Sequence, residues 1–135
     1  MIYLLDTNAC IVYLNRRVSG VRRRLGSLSP SDIAVCSVVK SELFYGAMRS
    51  SNSERTLALQ EAFLNNFVSL PFDDDAARIY ARIRAQLEAL GTPIGPYDLQ
   101  IAAIALVNNL ILVTHNTAEF GRVNGLQIED WEEEG

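Results

Sequence analysis

The sequence predicts an α/β domain built on a parallel sheet that helices cover on both faces. Three observations predict it. Short apolar runs of strand character alternate with segments of helical period along the chain. The length of 135 residues and a hydrophobic fraction of 49% suit one compact core, so residues 1–135 are read as a single domain. The first apolar run ends in a carboxylate, Asp6, where a helix begins, and open parallel sheets place their chemistry at such strand ends.

The elements follow in order. Residues 2–5 (Ile2-Tyr3-Leu4-Leu5) read as a buried strand, and residues 8–14 as a helix. Residues 16–28 read as a second helix, with Val18, Val21, Leu25 and Leu28 at helical spacing. Ser29-Pro30-Ser31 is a turn before the strand Ile33-Ala34-Val35-Cys36. Ser37 is placed to cap the next helix, which runs through Glu42 toward Arg49. Residues 54–67 form another helix, and Val68-Ser69-Leu70 a short strand closed by Pro71. Asp73, Asp74 and Asp75 enrich the start of a long helix to about Leu90, complementing its dipole, and Gly91 ends it. Pro96 opens a deeply apolar helix through Leu106. Residues 110–113 are a strand, a short turn surrounds Glu119-Phe120, and a last strand lies near Leu126-Gln127-Ile128.

Composition narrows the function. No apolar run approaches the roughly 20 residues that span a bilayer. The start meets a charge too soon for a signal peptide, so the expected compartment is the cytoplasm. Cys10 and Cys36 are then expected as buried thiols rather than a bridge. His115 is the single histidine, which excludes zinc sites built on paired histidines. The net charge of −4 argues mildly against a general nucleic-acid binder, yet five of the sixteen acids crowd into residues 129–134. Arg16, Arg17, Arg22, Arg23 and Arg24 form a local basic segment, either a solvated helix face or a contact for RNA phosphates or a partner.

Four acids sit near expected strand ends or helix starts: Asp6, Glu42, Asp98 and Glu119. Each alone has a plain reading as a cap, a dipole partner or a solvated residue. Together they read differently, because Asp6 and Asp98 are embedded in the two most apolar segments, where lone carboxylates are expensive to bury. Like charges at close range raise one another's pKa, and a hard divalent cation such as Mg²⁺ or Mn²⁺ reverses that sign. Such an ion polarises a phosphoryl oxygen and acidifies a bound water, which points to metal-assisted cleavage of a phosphodiester. Asn8, Thr114 and Asn116 offer neutral hydrogen bonds to orient the ligands.

Several blocks in order carry a resemblance over nearly the whole chain: residues 3–8 (Tyr-Leu-Leu-Asp-Thr-Asn), 41–47 (Ser-Glu-Leu-Phe-Tyr-Gly-Ala), 95–103, 112–116, 119–120 and 126–131. In these blocks the chain resembles the PIN-domain ribonucleases, specifically the VapC toxins of toxin–antitoxin pairs. The resemblance implies a three-layer α/β/α domain with a parallel sheet of about five strands. It implies Mg²⁺- or Mn²⁺-dependent endonucleolytic cutting of RNA, with Asp6, Glu42 and Asp98 as the metal-binding core. It implies homodimers neutralised by a VapB-type antitoxin, and structured RNA, initiator tRNA among it, as substrate. Many such domains carry a fourth acid where this chain has Asn116; Glu119, three residues on, matches the subgroup with an Asn-then-Glu pattern.

Rival readings are a PIN-like module that only binds RNA or a partner, and a receiver-like signalling domain. A receiver needs an acceptor Asp closing a central strand and paired acids after the first strand. Here residues 68–70 run into Pro71-Phe72, and Asp6 stands alone. A haloacid-dehalogenase-like phosphatase wants Asp-x-Asp, and Asn8 fills the second position.

Overall fold

A computed structural model describes residues 1–132; Glu133 and Glu134 of the acidic segment lie outside the described residues. Five strands, β1 (Tyr3–Leu5), β2 (Ile33–Cys36), β3 (Val68–Leu70), β4 (Ile111–Val113) and β5 (Ile128–Glu129), form one sheet. The sheet order is β3-β2-β1-β4-β5, and every pairing is parallel. The helices are α1 (Thr7–Asn15), α2 (Gly20–Gly26), α3 (Ser37–Met48), α4 (Ser53–Leu64), α5 (Asp74–Ala89), α6 (Pro96–Val107) and α7 (Thr117–Phe120).

The central strands are apolar on both sides, as a helix-covered parallel sheet requires: Leu4, Leu5, Ile33 to Cys36, Leu112 and Val113 are all buried. Helix α6 is buried almost all round, with Ile101 to Ala105 wholly enclosed. Its three alanines let it lie close to its neighbours, which is why it shows no polar stripe. Cys10 and Cys36 are buried free thiols, and burial is the main reason their pKa values are raised, for Cys36 to about 11.

Local chemistry explains the helix ends. At α5, Asp73 accepts a hydrogen bond from Ala76 N at 2.9 Å, and Asp74 and Asp75 fill the first turn. At its other end Gly91 takes φ +73, and Thr92 N donates to Leu87 O at 2.9 Å. That is the six-to-one closure a left-handed glycine makes possible.

Three expectations from the sequence need correction. Residues 16–28 are not one helix: the chain turns at 16–19, and α2 starts only at Gly20, where Ser19 Oγ accepts from Arg22 N. A serine competes well for the cap position, so the periodic apolar pattern lost to it. Val18 therefore stands 78% exposed instead of joining a buried face. Ser37 is the first helical residue of α3, not its cap; Cys36 holds the cap position without a side-chain bond. Helix α4 stops at Leu64, and Asn66 Nδ2 donates to the carbonyls of Ala62 and Phe63.

Candidate active site

In this strand order the two halves of the sheet part between β1 and β4, and ligands of open α/β sheets bind beyond that point. Asp6 follows β1 directly, and Thr114 follows β4. Asp6 N continues the ladder by donating to Val113 O at 3.1 Å, so its backbone is fixed by the sheet itself. Its side chain caps α1, with Oδ1 accepting from Ala9 N at 2.8 Å. The capping reading and the site reading are thus both true of one residue. Thr114 is buried; its Oγ1 accepts from Asn116 N at 3.0 Å, and its hydroxyl hydrogen-bonds the Asp6 carboxylate.

Asp6 is only 5% exposed, and burial pushes its pKa up from 3.8 to about 6. The Ala9 and Thr114 bonds pull the other way, while the charges of Asp98 and Glu132 add to the rise. Asp98, half-buried in the first turn of α6, is raised too: burial first, then Glu119, then Glu42. Glu42 lies half-buried in α3 and accepts from Thr7 Oγ1 at 2.7 Å, which ties α3 to the start of α1. All four acids therefore share one electrostatic neighbourhood, with Asp98 sensing the other three or being sensed by them.

The remaining sequence candidates divide. Asn8 and Asn116 are exposed, and Asn116 contributes its backbone N–H rather than a side-chain cap. Arg22 lies over the Tyr13 ring at 4.1 Å and donates to Tyr13 O, and Arg24 pairs with Glu129 and covers Trp131. Those two arginines hold the fold, which leaves Arg16, Arg17 and Arg23 as the exposed residues of the basic segment.

Three features escaped the sequence reading. Glu132 acts on Asp6 from the acidic segment, a convergence that only the return of β5 beside β4 produces. His115, Asp130 and Glu132 are the group, among the described residues, whose ligand atoms all lie within 4.8 Å of one another; Asp6, Glu42 and Asp98 stand further apart. His115 Nδ1 and Asp130 Oδ2 are 2.8 Å apart. Beside the acids, a groove of about 650 Å³ runs between α1, α3 and α4, with Ile11, Leu14, Leu43, Leu59 and Phe63 as walls and Glu42 on its edge. Gln60 Nε2 donates to Leu43 O at 2.9 Å, which leaves Gln60 Oε1 buried with no donor among the described residues.

The receiver-like reading fails on topology. β3 is an edge strand, so nothing following it can serve as the acceptor at the sheet's centre. A parallel sheet in this order, with acids gathered where its halves part, defines an open α/β domain with an acidic site at its topological switch point. The chain belongs to the PIN-domain family, whose model matches residues 3–126, and within it to the VapC branch. It is 41% identical to the tRNA(fMet)-specific endonuclease VapC of Salmonella typhimurium strain LT2 over 129 residues, 96% of this chain and 97% of that protein. The protein of the same description from Shigella flexneri is 43% identical over the same shares. Among solved structures, the DNA-bound VapBC complex from Salmonella typhimurium contains a chain that superposes with a TM-score of 0.92 at 39% identity, covering 97% of this chain and 98% of that one.

Proposed function

We propose that this chain is the endoribonuclease toxin of a toxin–antitoxin pair, hydrolysing RNA phosphodiesters with Asp6, Glu42, Asp98 and Glu119 as its working acids. The observation that carries the proposal is Asp6: a carboxylate 5% exposed, with its pKa pushed up to about 6 and three further acids around it. A fold does not keep such a group without a counter-charge unless it has a use for it.

The donor set fits a divalent cation. Asp6, Glu42 and Asp98 offer oxygen only, which suits Mg²⁺ or Mn²⁺ better than softer metals. When bound, the ion supplies Lewis-acid polarisation of the phosphate and lowers the pKa of water. The chain's own residues do the rest. Ala9 N and the Thr114 hydroxyl hold Asp6 in one orientation, and Thr7 does the same for Glu42. Glu119 adds its charge to that of Asp98, part of the negative charge that a bound cation would offset. In the reaction water adds to phosphorus, one P–O ester bond breaks, and the proton ends on the leaving oxygen.

The VapC relatives named for tRNA(fMet) make initiator tRNA the first substrate to test. The VapBC complexes among the structural relatives make a VapB-type antitoxin the partner. The groove beside Glu42 is its proposed seat, being apolar and open. Homodimerisation and a cytoplasmic location belong to the same reading. No helix among the described residues is long and apolar enough to cross a membrane.

The test is incubation of the purified chain with transcribed initiator tRNA in Mg²⁺ or Mn²⁺, in EDTA, and as the Asp6→Asn variant. The proposal expects discrete cleavage products in the first condition alone. Equal cleavage in EDTA, or by Asp6→Asn, defeats the metal-assisted mechanism; no cleavage by the native chain leaves a PIN domain that only binds.

A further inference from the structure

The five tyrosines of the chain are not alike. Tyr3 meets Trp131 edge-on at 5.1 Å, Tyr13 stacks on Phe63 at 4.2 Å, and Tyr80 meets Phe72 at 5.8 Å. Tyr45 lies under Arg49 at 5.5 Å. Tyr97 makes none of these contacts among the described residues, neither a ring pair, a cation over its face, nor a hydrogen bond from its hydroxyl. It is 58% exposed, although it belongs to the first turn of the most deeply buried helix, between Pro96 and Asp98.

A single exposed aromatic is ordinary on a protein surface. Its place gives this one a use. Asp98, one of the coupled acids, is its neighbour in the chain, which puts the Tyr97 backbone beside the proposed cleavage site with its ring in solvent. The electrostatics of that site create a need: a chain of net charge −4 with acids converging there repels phosphates. Arginines such as Arg16 and Arg17 can hold phosphates away from the acids, but beside the acids themselves binding beyond the cation is best supplied by contacts that carry no charge, such as base stacking on an aromatic face. The backbone under the ring is stiff, since Pro96 fixes the first helical position and α6 is locked in the core, so little ordering is lost on contact.

We propose that Tyr97 stacks an unpaired base of the RNA next to the scissile phosphate, making it a specificity-determining residue that favours looped or single-stranded RNA and purines over pyrimidines at that position. The proposal rests on the ribonuclease reading. A stacked base needs no hydroxyl, so Tyr97→Phe keeps the function and Tyr97→Ala loses it. Because the ring is largely exposed and makes no ring pair or hydrogen bond among the described residues, neither change should lower the melting temperature by more than about 2 °C.

The experiment uses short single-stranded oligoribonucleotides carrying 2-aminopurine at successive positions, with the full chain in Mg²⁺ or Mn²⁺. Native chain and Tyr97→Phe are expected to quench the probe at one position. Tyr97→Ala is expected to lose that quench and about 10- to 100-fold in kcat/KM, mostly through KM. Cleavage by Tyr97→Ala at the native rate overturns the stacking role while leaving the ribonuclease reading intact. An equal loss in Tyr97→Phe overturns stacking in favour of a hydroxyl contact. A native chain that cuts no RNA under any condition removes the activity itself and the stacking role with it.

Discussion

Replacing Asp6 by Asn should make the metal-free protein more stable. In the folded state burial holds this carboxyl at a pKa of about 6 against its ordinary 3.8. The folded chain therefore binds an extra proton between those values, and Asp6's contribution to stability is whole below about pH 3.8 and lost as pH rises through 6. At pH 7 and above the deficit is about 3 kcal/mol, from about 1.4 kcal/mol for each tenfold step in proton affinity. Asn caps a helix as well as Asp, so the bond to Ala9 N survives the change. For a domain of this length, 3 kcal/mol corresponds to a melting temperature higher by roughly 10 °C. Thermal unfolding in EDTA from pH 4 to pH 8 measures it, taking the difference between variant and native chain so that carboxylates not coupled to Asp6 cancel. The difference should be near zero at pH 4 and grow to its full size above pH 6.5. Added Mg²⁺ or Mn²⁺ should then raise the native chain and leave the variant unmoved. A variant no more stable than the native chain at pH 7.5, or a gap that shrinks with rising pH, would refute the reasoning.

Other outcomes follow from the same geometry. Asp6→Asn should lose roughly 10³-fold or more in RNA cleavage, read by end-labelled tRNA, since a cation ligand contributes several kcal/mol of charge stabilisation. Thr114→Val leaves Asn116 N without its acceptor and Asp6 without a donor; it should cost about 1–3 kcal/mol in urea unfolding and push Asp6 further up, so that half-maximal cation binding moves to higher pH. Leu59→Asp places a charge in the groove wall and should abolish capture by the co-expressed antitoxin while sparing RNA cleavage. Arg16→Glu with Arg17→Glu should flatten the salt dependence of RNA binding by a log–log slope of about 1–2 if both touch phosphate, and leave it unchanged if they are plain surface.

Much of the site was legible because parallel-sheet topology leaves few places for an acid to go. A carboxylate ending the run Tyr3-Leu4-Leu5 lands at the sheet's carboxyl edge whatever the details of the helices, and Asp98 follows from the proline that opens α6. Local rules failed where two of them competed. The apolar period over residues 16–28 was real, but Ser19 and Gly20 start a helix more strongly than Val18 continues one. Long-range pairing was out of reach for a different reason. Nothing in Thr7 announces Glu42, thirty-five residues away, as its partner, and nothing near Glu132 announces Asp6. Such contacts are decided by how strands order themselves, not by neighbours in the chain.

Trp131 is 2% exposed, meets Tyr3 edge-on and lies beneath Arg24, while Trp131 Nε1 donates to Glu129 and Thr114 N donates to Glu129 O at 3.0 Å. Two segments from opposite ends of the sheet's wiring are thus clasped together, and the clasp reaches the neighbourhood of Asp6 through Thr114. Strand β1 cannot be fully enclosed until β5 has docked beside β4. Loosening the Trp131 contact would therefore unsettle the surroundings of Asp6 without altering any acid of the site.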